Sequence, residues 1–86
     1  MPFEIKNGVL RNYREEPGVT EVVIPDSVTR IGDGAFYRCE SLTSITIPES
    51  VVNIDYSAFA FCYRLTSITI PAGVTRIEEY TFHCCM

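Results

Sequence analysis

Prolines, phenylalanines and cysteines recur in this chain at one interval of 23 residues: Pro25, Pro48 and Pro71; Phe36, Phe59 and Phe82; Cys39, Cys62 and Cys85. Ile24, Ile47 and Ile70 keep the same interval, as do Val28, Val51 and Val74, and Ile31, Ile54 and Ile77. Val19, Leu42 and Leu65 fall into line with them. Residues 42–48 and 65–71 read identically, LTSITIP, and VTEVVIP at 19–25 is a degenerate third copy. A fixed period that holds every apolar position in place marks equivalent coils stacked on one another. One coil cannot bury its apolar side alone, so the pattern predicts a mainly β solenoid.

Within a unit, Leu42, Ile45 and Ile47 alternate with outward Ser and Thr, the pattern of a short strand. Pro48 then ends it, because proline has no N–H to give to a ladder. A second extended piece covers Val28 to Ile31. The GDGAFYRC that follows predicts a Gly-rich turn and a brief helical or 3-10 segment, with Phe36 plugging the coil interior. The 86 residues make one domain: an N-terminal cap at 1–18, then units at 19–41, 42–64 and an incomplete 65–86. In the cap, FEIKNGVLRNY sets two alternating runs around Asn7-Gly8, the signal of a type I′ hairpin. Phe3, Ile5, Val9, Leu10 and Tyr13 are its candidate apolar contacts.

SVTRIGDGAFYRCESLTSITIP resembles the BspA-type leucine-rich repeat, and the resemblance covers residues 19–86. It implies a right-handed leucine-rich-repeat coil of about three repeats. It also implies a bacterial surface-type protein of extracellular or cell-surface location, non-enzymatic, that adheres to a protein or glycan ligand. The first 18 residues resemble that family's usual entry.

The inward columns of Val, Ile, Leu, Phe and a small residue (Ala35, Ala58, Thr81) are core. The outward columns of the strand face are Glu21, Ser44 and Ser67, and Val23, Thr46 and Thr69, with Thr20, Thr43 and Thr66 alongside. Two readings stand for this face. Ser and Thr are good solvent-facing strand residues, and a hydroxyl-rich sheet face is also a candidate binding surface for a protein or glycan. A second candidate surface gathers Tyr37, Arg38, Phe61, Tyr63 and Arg64, with Tyr56 and Tyr80 nearby; Tyr and Arg are favoured at binding hot spots.

Other classes find little support. The net charge of −4 withholds the positive field that nucleic acid requires. No stretch nears the roughly 20 apolar residues of a membrane span, so membrane insertion is not expected. The N-terminus has no basic segment followed by an apolar one, so no signal peptide is expected within this chain. Asn7, Asn12 and Asn53 all lack the glycosylation pattern. Cys39, Cys62 and Cys85 read as a column of small buried hydrophobes, with Cys84 adjacent. His83, Cys84 and Cys85 lack the spacing of a zinc site, and no metal or other cofactor is expected. His83 has no acid or nucleophile tied to it by a motif. Asp33, Asp55 and Glu78 do not all share one column, and no motif ties them together for acid-base work.

The third unit leaves the pattern at Ile77-Glu78 and Thr81. Stacking then leaves Ile70, Val74, Ile77 and Phe82 at an open end, a candidate surface for self-association into a homo-oligomer. The expected function is a binding or adhesion module; the alternative is an assembly unit working through that end.

Overall fold

A computed structural model describes residues 2–77 together with Thr81 and Phe82. Among these residues eight short strands follow in order: β1 (Phe3–Lys6), β2 (Val9–Tyr13), β3 (Glu21–Val23), β4 (Arg30–Ile31), β5 (Ser44–Thr46), β6 (Asn53–Ile54), β7 (Ser67–Thr69) and β8 (Arg76–Ile77). Each 23-residue unit gives one strand to each of two sheets. The first pieces form a three-stranded parallel sheet, β3-β5-β7, and the second pieces extend a five-stranded sheet, β1-β2-β4-β6-β8. Register is kept at the repeat interval: Val22 lies beside Ile45 and Ile45 beside Ile68, and Ile31 beside Ile54 and Ile54 beside Ile77. The stretch between the sheets is fixed by one bond repeated three times. Val28, Val51 and Val74 each donate N–H to the carbonyl of the proline three residues earlier, at 3.1 Å.

Among the described residues there is no helix, so the brief helical or 3-10 segment expected after the Gly-rich turn is a chain of turns instead. The hydrogen bonds give the reason. Ala35, Tyr37 and Cys39 donate to Gly32, Gly34 and Phe36, each three residues back, as a 3-10 segment would. The amides between them do not. Gly34, Phe36 and Arg38 donate to Tyr56, Ala58 and Ala60 of the next unit, at 2.7–3.0 Å. Alternate amides thus serve the turn and the stack. The alternation needs left-handed backbone at two places per unit: Gly34 and Ser57 (φ 62 and 56), and Arg38 and Phe61 (φ 59 and 60). Both pairs are spaced by 23.

At the N-terminus, Asn7 and Gly8 both carry positive φ (52 and 79), as a type I′ turn demands. The hairpin β1–β2 is antiparallel, with an irregularity between Glu4 and Ile5. Its second strand runs parallel to β4, pairing Leu10 with Ile31. Tyr13 N–H donates to the Ala35 carbonyl at 2.8 Å, the same bond that Phe36 makes to Ala58 and Phe59 to Thr81. Tyr13 is therefore one further member of the Phe column, 23 residues before Phe36. The rings of Phe3, Tyr13, Phe36, Phe59 and Phe82 form a continuous file, with centroids 5.2–5.4 Å apart.

That file is the centre of the core. Leu10, Val28, Ile31, Ala35, Phe36, Leu42, Val51, Ile54, Ala58 and Phe59 are fully buried. Burying each large aliphatic or Phe side chain contributes roughly 1.5–3 kcal/mol. Thr81, standing where earlier units have Ala, is buried too, and its hydroxyl donates to the Asp55 carbonyl at 3.3 Å. Cys39 and Cys62 are buried, and Cys62 Sγ lies 3.0 Å from the Phe36 carbonyl. They act as small apolar side chains that also supply a weak donor to the stack.

Candidate functional site

The strand face is built by the alternation within β3, β5 and β7. Val22 and Ile45 point inward and are buried, so their neighbours are turned to solvent. Parallel register sets Glu21, Ser44 and Ser67 in one row and Val23, Thr46 and Thr69 in the next. Val23, Thr46, Thr69, Glu21 and Ser67 are exposed and Ser44 is half-buried. The adjoining threonine column behaves differently. Thr43 donates both its N–H and its hydroxyl to the Thr20 carbonyl, and Thr66 does the same to Thr43, with hydroxyl distances of 3.2 and 3.3 Å. These hydroxyls tie one unit to the next, so their identity has a structural cause. The rows of Ser44 and Ser67, and of Thr46 and Thr69, are solvent-facing and owe nothing to core packing.

The turn side brings together four of the residues singled out in the sequence. Tyr37 meets Phe61 edge-on at 5.3 Å, and Phe61 meets Tyr63 at 5.9 Å. The Arg38 guanidinium lies over both the Tyr37 and Phe61 rings, at 5.6 and 5.2 Å. Arg38 and Phe61 are the residues held in left-handed backbone, which directs their side chains out of the stack. Tyr56 is half-exposed in a turn and does not join this cluster's ring contacts; Tyr80 lies outside the described residues. Arg64 belongs to an open depression of about 420 Å³ with Glu15, Thr20, Glu40, Ser41 and Thr43. There the Glu15 carboxylate accepts from the Glu40 and Ser41 amides (3.2 and 2.8 Å) and from the Ser41 hydroxyl, pinning the chain after the hairpin to the first unit.

Ile70, Val74 and Phe82, at the far end of the stack, are half-buried, while Ile77 is 47% exposed where Ile31 and Ile54 are fully covered. Among the described residues, β7 and β8 are the outermost strands of their sheets.

A family model described as BspA type Leucine rich repeat region (6 copies) matches residues 10–86. The chain belongs to the BspA-type leucine-rich-repeat family. The start of the match at Leu10 agrees with the hairpin's second strand standing as a member of the stack. A leucine-rich repeat protein from Bacteroides ovatus of known crystal structure is similar to it, at 32% identity and a TM-score of 0.68. The similarity covers 84% of this chain and 22% of that one, so this BspA-type chain spans about a fifth of its length. No curated protein matches the sequence.

Among the described residues, no group of three or more His, Cys, Asp or Glu side chains is placed to hold a metal ion; His83, Cys84 and Cys85 lie outside them. Asp33 and Asp55 line one shallow depression of about 360 Å³ with Arg11 and Arg30, and Arg30 Nε stands 3.7 Å from Asp55. Glu78 lies outside the described residues. Burial pushes the Cys39 thiol up to about 12, with the Cys62 and Glu15 charges adding to it, which keeps it a neutral thiol rather than a nucleophile. No helix among the described residues is long and apolar enough to cross a membrane. The aromatic contacts around Arg38 and the in-stack role of the Thr43 hydroxyl were not readable from spacing alone, since both depend on which way the local backbone faces.

Proposed function

We propose that this chain is a non-enzymatic interaction module of a surface-type leucine-rich-repeat protein, a segment of right-handed solenoid whose strand face adheres to a protein or glycan ligand. The observation that carries this is the pair of outward rows, Glu21-Ser44-Ser67 and Val23-Thr46-Thr69, exposed but for the half-buried Ser44 and held in register by a parallel sheet. Hydroxyls at those positions serve no core contact, yet two units carry the same ones. Family membership supports the reading, because members are mostly surface proteins and typically non-enzymatic. Three strands span only about 14 Å at the usual sheet spacing, and a standard interface takes about 800 Å² from each partner. The affinity of this segment alone is therefore low.

The test is direct binding of the purified chain to a panel of matrix proteins and glycans. A double substitution, Ser44→Lys with Thr46→Lys, abolishes binding and leaves the circular dichroism spectrum unchanged. A panel without a single binder, or a binder indifferent to this substitution, defeats the strand-face reading.

A second reading has its own observation. The exposure of Ile77 on a strand that is outermost among the described residues supports self-association through that end, where Ile70, Val74 and Phe82 are half-buried. Sedimentation then gives a concentration-dependent dimer that Ile77→Lys makes monomeric, with ligand binding retained. A monomer at all concentrations ends that reading.

A further inference from the structure

The two sheets are unequal at the hairpin end. The hairpin adds two strands to the five-stranded sheet, whereas β3 is the outermost strand of the three-stranded one. Thr20 C=O accepts from Thr43 N–H at 2.7 Å, and Ile24 N–H donates to the Thr46 carbonyl at 3.0 Å. The even-numbered backbone groups of this segment therefore face β5. Successive residues of a strand present their backbone groups to opposite sides, so the N–H and C=O of Glu21 and Val23 face the free edge. Beside that edge lies a groove of about 190 Å³, lined by Phe3, Tyr13, Val19 and Val23 among others; its charged members, Glu16 and Glu21, are both acidic.

The sequence departs from its own repeat at this place. Where the other units have outward Ser and Thr, this strand has Glu21 and Val23. Stacking asks for neither change, since both side chains are exposed and Val23, at 71%, is the most exposed large apolar residue among those described. An edge with free main-chain groups, an apolar groove and two carboxylates specifies its occupant. We propose that the free edge of β3 docks an extended basic peptide segment of another protein, added to the sheet as a fourth strand with an apolar side chain in the groove and a Lys or Arg facing Glu16 and Glu21. A second copy of the chain fits badly. Pairing β3 with itself brings four carboxylates together on a molecule already at net charge −4. This site goes beyond the strand-face reading, because it uses the edge of the sheet and stands even where the face binds nothing.

The probe is a labelled Lys-Val-Lys-Val-Lys-Val peptide, titrated against the full chain to about 1 mM beside its Glu-Val counterpart. The lysine peptide binds about tenfold tighter or more and slows hydrogen exchange at the Glu21 and Val23 amides. N-methylation of its alternate amides, or the E16K/E21K substitution in the protein, removes that advantage. Should the double variant misfold, the N-methylated peptide still decides the matter. No binding, equal affinity for the two peptides, or protection at Ser44–Thr46 in place of Glu21 and Val23 overturns the proposal. So does protection of Glu21 and Val23 by self-association without peptide, which would make a second copy the occupant.

Discussion

At the scale of single residues, the fold places side chains where their own backbone preference resists. Ser57 stands in left-handed backbone at the position that Gly34 fills one unit earlier. An L-residue there costs about 1–2 kcal/mol, part of which glycine returns through its freer unfolded chain. Ser57→Gly therefore stabilises the protein by about 0.5–1 kcal/mol, read as a higher thermal midpoint; an unchanged or lower midpoint contradicts the strain. Cys39 gives a pH signature. Its thiol is held up to about 12, mainly by burial, whereas an unfolded cysteine ionises near pH 8.5. Between these values the unfolded chain has lost the proton and the folded one has kept it. Stability is thus fully present below the unfolded pKa and falls as pH rises towards the folded one, by at most about 1.4 kcal/mol per pH unit. Burial raises the Tyr13 phenol in the same direction. Urea titrations across the alkaline range show a shallower decline for Cys39→Ala than for the parent; identical slopes refute the assignment.

At the scale of elements, the file of rings joins hairpin and repeats into one cooperative core. Phe59 has a ring on both sides, Phe36 and Phe82, and is fully buried, while Phe82 is half-buried. Phe59→Ala costs about 3–5 kcal/mol, much of the stability of a domain this small. Phe82→Ala costs clearly less, and urea midpoints in the opposite order would show that the file is not the organising contact. The repeat columns were legible because stacking forces like residues onto like. The membership of Tyr13 was not, because the hairpin meets the stack two residues out of step: Leu10 pairs with Ile31 across 21 residues, while Tyr13 and Phe36 keep 23. The turn segment misled for a related reason. Its three-residue bonds are those of a 3-10 helix, and only the alternate amides, bonded to a neighbouring unit, set it apart. The candidate surfaces were legible as columns, but the free edge of β3 was not, since strand pairing is a property of the assembled sheet.

At the scale of the whole molecule, no unit satisfies its own backbone. Phe36, Arg38 and Gly34 send their amides forward, and Thr43, Thr66, Val52 and Thr75 send theirs back, always to the neighbouring unit. A chain carrying a second copy of residues 42–64 directly after the first therefore folds and needs more urea to unfold, because it gains one unit and one interface between units. A single residue inserted after Glu49 displaces every later column by one place and lowers the urea midpoint sharply; an unaffected midpoint would mean that the units are not locked together. The alternating amides thus impose a grain on how the chain changes size. Point substitutions can drift freely on its outer rows, but its length can be edited only in whole cassettes, and variation in reach has to come from copying rather than from gradual growth.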